Sequence, residues 1–171
     1  MRTALDSDPE RLDKHEKNIV ANIREHGWFA THVHNNADDP DPKPTFSYTT
    51  GLWVTLGVPE LIIFSMKRET AHKMFWSVFR ALKAGQKFGH GARIPDVLNN
   101  LDVALLPIDK RAIRQYMGWS MWFYGGDDFS CDQLIWPDRE NRFPWHPGFD
   151  EALREDQPDL TRGAWNGLAA N

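Results

Sequence analysis

Strand-type and helix-type segments follow one another along this chain in an irregular order, and that order restricts the fold more than any other feature. Trp28-Phe-Ala-Thr-His-Val-His34, Phe46-Ser-Tyr-Thr-Thr-Gly-Leu52 and Leu61-Ile-Ile-Phe-Ser65 read as strands, the last two neighbours joined through a Gly57-Val-Pro59 turn. Residues 101–108 and 129–136 read as two more. Residues 8–26 place Leu12, Ile19, Val20 and Ile23 on one helical face, with Ser7 or Asp8 to cap, Pro9 in the first turn and Gly27 to stop. Residues 67–84 repeat Ala71, Met74, Phe75, Val78, Phe79 and Leu82 at helical spacing up to Gly85, and residues 110–124 form a third helix weakened by Gly118. A doubly wound parallel sheet needs strand and helix in strict succession. The order found here predicts an α+β fold: a single domain over residues 1–171, with a mostly antiparallel or mixed sheet covered by two to three helices.

A chain of 171 residues can bury one sizeable core and is short for two. Residues 35–45, rich in Pro, Asn and Asp, are expected to be an exposed loop, and residues 150–171 a polar tail in which Trp165 has no evident place. The net charge of −4 offers no general attraction to phosphate backbones or anionic lipid, so neither nucleic acid nor membrane is an expected partner. No apolar run is long enough to span a bilayer, the N-terminus turns acidic before a secretory core could form, and the single Cys131 fits a reducing compartment. These point to a soluble, cytoplasmic protein.

The stretch with the most demanding residues is Gln133-Leu-Ile-Trp-Pro-Asp138, followed at once by Asn141-Arg-Phe-Pro-Trp145. Two Trp-bearing proline turns flank an acid and a base. Together with His26-Gly-Trp28, the Phe46–Leu52 block, Pro59-Glu-Leu-Ile-Ile-Phe-Ser65 and the glycine-bracketed 85–91 segment, it resembles the bacterial family DUF4262 over residues 26–145. The resemblance implies no activity and no catalytic residue. The middle third is also similar, in pattern only, to suppressor-of-fused interaction domains, which implies a protein partner.

Five residues in these blocks are candidates for one ligand site: Tyr48, Glu60, Trp136, Asp138 and Trp145, three of them at strand ends where loops present function on a rigid frame. Glu60 opens an apolar strand and needs a partner if buried, with Arg139, Arg142 and Tyr48 as the choices. Asp138 suits an Asx turn as well as a site. The Trp residues suit a hydrophobic clasp as well as a pocket wall. The favoured reading is a non-catalytic module binding a small ligand or protein in an aromatic-lined cleft. The alternative is a small enzyme using Glu60, Asp138 and one of His26, His90 or His146 as acid and base.

His32 and His34 project from the same strand face as metal ligands would, but no third ligand follows at a fixed spacing, and a solvated strand face is favoured over a metal site. His26 suits a helix C-terminus, and the Gly85-to-Gly91 segment lacks the ending of a phosphate loop. Cys131 reads as an inert packed thiol. No fingerprint of a cofactor is present, and none is expected.

Overall fold

A computed structural model describes residues 2–34, 44–98 and 101–168, so the loop expected over 35–45 lies almost wholly outside the described residues. The chain adopts the expected α+β class. Helix α1, Lys14–His26, starts later than the Ser7 or Asp8 cap predicts. Asp13 accepts hydrogen bonds from the amides of His15 and Glu16 while Glu16 reaches back to the Asp13 amide, and this reciprocal capping satisfies more orphan donors than Asp8 can. Asp8 caps only a 3-10 turn, Pro9–Arg11. Helix α1 ends at Gly27, whose φ of 90° lets the chain reverse into strand β1, Phe29–Val33.

Strand β2, Phe46–Thr50, lies antiparallel to β1 over five successive pairs. A short helix α2, Leu52–Leu56, separates it from β3, Glu60–Phe64, where the sequence had suggested strand through Leu52. Helix α3, Arg68–Lys83, leads to β4, Arg93–Leu98, and β5, Leu101–Pro107. The third expected helix breaks at Met117, beside Gly118, into α4, Lys110–Tyr116, and α5, Gly118–Tyr124. Strand β6, Cys131–Ile135, and a short helix α6, Ala164–Leu168, complete the order.

The six strands form one sheet in the order β1-β2-β3-β6-β5-β4. Four ladders are antiparallel, and β3 and β6 run parallel, with Glu60 opposite Cys131 and Ile62 opposite Gln133. A parallel pair cannot be closed by a hairpin, which is why everything from α3 to α5 intervenes between them. Side-chain alternation sorts the core onto two faces. Leu61, Ile63, Leu105 and Leu134 pack on α3, whereas Tyr48, Ile62, Phe64 and Cys131 pack on α1, α4 and α5. Beyond them, Ile135 and Leu106 are covered by Phe143, Trp145 and Trp165.

The expected polar tail therefore packs against the sheet. Two glutamines hold it there: Gln133 donates to Pro158 O (2.8 Å) and accepts from Leu160 N (3.1 Å), and Gln157 accepts from Trp136 N (3.2 Å) and donates to Trp136 O (2.7 Å). Among the described residues no helix is long and apolar enough to cross a membrane.

Gly51, between β2 and α2, has φ 116°, and a Cβ there would stand 2.9 Å from Gly27 O and 3.0 Å from Trp28 Cα. Both the conformation and the neighbouring backbone exclude a side chain. Gly51→Ala is expected to lower stability by about 2 kcal/mol or more in urea unfolding, and an unchanged midpoint would contradict the packing described.

Candidate functional site

Glu60 is fully buried, and its carboxylate joins four parts of the fold. It accepts from Thr49 Oγ1 on β2 (2.6 Å), from the amides of Gly51 (2.8 Å) and Trp53 (3.1 Å) at the start of α2, and from the Tyr124 hydroxyl on α5. Burial pushes its carboxyl up against the pull of these donors. Its partner is thus Tyr124, and none of Arg139, Arg142 or Tyr48. Tyr48 lies under the same helix, where its hydroxyl accepts from Trp119 N (3.1 Å).

The remaining three candidates gather at the other end of the central strands, and the expected five-residue cluster does not form. Glu60 begins β3, whereas the Trp136 indole donates to the carbonyl of Phe64 at its end (3.0 Å), roughly 13 Å along the strand. Asp138 organises a loop: it accepts from the amides of Glu140 (2.9 Å), Arg142 (2.9 Å) and Asp150 (3.2 Å) and from Arg142 Nε (2.8 Å). Burial opposes its ionisation, but the Arg142 and Glu140 hydrogen bonds prevail and hold its carboxyl below the usual range. Trp145 stacks flat on Phe143, with centroids 4.9 Å apart, and forms one wall of a cleft of about 620 Å³ shared with Arg154 and Trp165. It faces away from Trp136, because β6 sends Trp136 to the α3 side and Ile135 to the side covered by Trp145.

Glu60 and Asp138 are therefore held apart as well as engaged, and they do not form an acid–base pair with any one histidine. His26 ends α1, and His146 accepts from Phe143 N through Nδ1 (2.9 Å). His90 lies near Asp132, an acid that the sequence reading passed over. Asp132 is buried on β6, its carboxyl without a hydrogen bond to another described residue, and burial raises that carboxyl to about 6 against the opposing influence of His90. Burial likewise raises the Cys131 thiol well above its ordinary value, consistent with an inert packed group.

Another open site among the described residues is a groove of about 630 Å³ along strand β1. Asn18, Asn22 and His26 of α1 form one wall. The other wall is the polar side of α3, where Arg68, Glu69, His72, Lys73 and Trp76 recur at helical spacing. Trp28, Phe29, Ala30 and His32 form the floor. Trp28 sits against His72 (5.3 Å between centroids) and edge-on to Trp76 (5.2 Å). Its indole N–H is buried and has no acceptor among the described residues.

Burial disfavours the charged form of both central imidazoles of the groove. His32 Nδ1 shares a 2.7 Å hydrogen bond with Ser47 Oγ, and burial, then Arg68, His72 and His34, push it down to about 4, with Glu69 pulling the other way. His72 accepts from the Trp76 indole through Nε2 (3.0 Å), and burial, then Arg68, lower it too. Among the described residues no group of three His, Cys, Asp or Glu side chains is arranged to hold a metal ion. Arg68 and Lys73 make no ion pair or hydrogen bond with another described residue. The groove thus presents positive charge, without a carboxylate partner among the described residues, beside aromatic rings.

These features define a single-sheet α+β domain with an aromatic groove at one edge. The chain belongs to the DUF4262 family, a domain of unknown function, whose model matches residues 22–150. No curated protein and no solved structure matches it.

Two buried acids give opposite expectations. Glu60→Ala strands the donors of Thr49, Gly51, Trp53 and Tyr124 and should cost about 4 kcal/mol or more in urea unfolding; a loss under about 1 kcal/mol would show that the network is dispensable. For Asp132 the folded state binds its proton more tightly than the unfolded chain does, so stability is highest below the ordinary carboxylate range and falls as pH rises toward about 6. Asp132→Asn should remove that fall, leaving the variant up to roughly 3 kcal/mol more stable than the parent at pH 7.5 relative to pH 3.5. Parallel pH profiles of the two proteins would refute the assignment.

Proposed function

We propose that this chain is a non-catalytic binding domain whose ligand occupies the groove between α1, β1 and α3. One observation carries the reading: Arg68 and Lys73, whose side chains have no acceptor among the described residues, line a cavity with Trp28 and Phe29 at its floor and Trp76 on its wall. Such a combination of apolar lining and a few directed polar groups is what orients a ligand in a cleft. Its donors and cations match an anionic ligand with a flat or apolar body, and His32 and His72, in the neutral form that burial favours, can accept or donate without adding charge. The carboxylates that acid–base catalysis would have used, Glu60 and Asp138, are occupied by the fold. The Trp145 cleft, which Arg154 and Trp165 also line, is the second place for such a ligand.

Ligand-observed NMR against a panel of aromatic mono- and dicarboxylates tests the site. Binders are expected to lose at least tenfold in affinity in the Arg68→Glu, Lys73→Glu double variant, whose exposed positions leave the melting temperature within about 2 °C. Affinity that survives this change and falls in Trp145→Ala would move the site to the second cleft.

A further inference from the structure

Building on this reading of the groove, we infer that its occupant is an extended acidic peptide that joins the sheet as a further strand beside β1. The sheet has two edges, and they are built differently. The β4 edge carries Arg93, Pro95 and Asp96, with Asp96 at φ 62° and a register shift between Ile94 and Leu98. Charge, proline and irregularity are the devices by which natural edges avoid pairing with another chain. The β1 edge has none of them: Phe29-Ala-Thr-His-Val33 holds no proline and no Lys, Arg, Asp or Glu, and its register against β2 is unbroken. Among the described residues no strand pairs with its outer side.

The groove straddles that open edge. Trp28 and Ala30 belong to the α3 side of the sheet and Phe29 to the α1 side, so the walls rise on both faces with the β1 backbone between them. A small rigid ligand needs one face, whereas a strand sends alternate side chains to both. Strand addition supplies affinity through main-chain hydrogen bonds and specificity through the pockets that receive those side chains. Five residues of β1 span roughly 17 Å, enough to pair with a peptide of about the same length. Charge sets the chemistry of the peptide. On the α3 wall the Arg68 and Lys73 side chains have no partner among the described residues, and they favour acidic side chains at the alternate positions that face them; Glu69 between them disfavours an unbroken acidic run. The positions facing α1 meet Asn18, Asn22 and His26 and suit small or polar residues.

Panning the intact protein against a random dodecapeptide phage library, with the Arg68→Glu, Lys73→Glu double variant as counter-selection, tests this. Expected are enriched sequences that alternate acidic or aromatic residues with small or polar ones. A synthetic peptide of that sequence should slow amide hydrogen exchange across Phe29–Val33 at least tenfold, and N-methylation of alternate peptide amides should weaken its binding at least tenfold on the pairing edge only. No enrichment, protection elsewhere in the chain, or insensitivity to N-methylation on both edges would overturn the proposal. So would a homodimer in light scattering whose protected amides are those of Phe29–Val33, since the occupant would then be a second copy. If aromatic carboxylates bind and no peptide enriches, strand addition fails and the groove stands; if neither binds, both fail.

Discussion

The carboxylate of Glu60 is the constraint on which the rest of the fold hangs. An unpaired buried carboxylate is costly enough that it would protonate or drag in water, and here four donors converge on it from β2, the Gly51 turn, α2 and α5. Each of those elements is short. Helix α2 has five residues and α5 seven, too few to be stable alone, and both take their position from this one side chain. Because α2 must start where Glu60 can reach its first amides, Gly51 is forced into a conformation with no room for a side chain, and the tip of α1 comes to rest against it. The β1 edge inherits its placement from that contact.

The helices with a clean apolar stripe, α1 and α3, were legible in sequence, as were the strands with unbroken apolar runs, β3, β5 and β6, and the class that their order implies. Strand β4 was invisible because Arg93-Ile-Pro-Asp96 alternates nothing and pairs irregularly. The start of α1 was misplaced because Asp8-Pro9 is a good local signal that a better one, Asp13 with Glu16, overrides. Trp136 and Asp138 were legible as unusual residues, but not for their role. Rarity in sequence identified positions under geometric demand, and most of that demand proves to be the fastening of loops and turns.

The groove escaped the sequence reading for a related reason. Periodicity assigns the stripe Ala71, Met74, Phe75, Val78 and Phe79 to the core and leaves the opposite side of α3 to solvent. Trp76 breaks that division, since a half-buried Trp among Arg68, His72 and Lys73 does not belong on a face meant only for water. That residue was the available signal. Its partner Trp28 read as the start of a strand and the end of a family block, and nothing local could show that α1 and α3 stand on either side of the same strand.

Two glutamines give the C-terminal segment a consequence for where this protein begins and ends as a folding unit. Gln157 pairs with the main chain of Trp136 as a neighbouring strand would, and Gln133 grips the backbone on both sides of Asp159. The family match stops at residue 150, yet Leu160 and Trp165 beyond it seal apolar surface that the matched region cannot cover by itself. The stretch that the family model matches is thus shorter than the stretch that packs on the sheet. A chain cut at the family boundary would keep every signature block and lose the amides that close the end of its central strands.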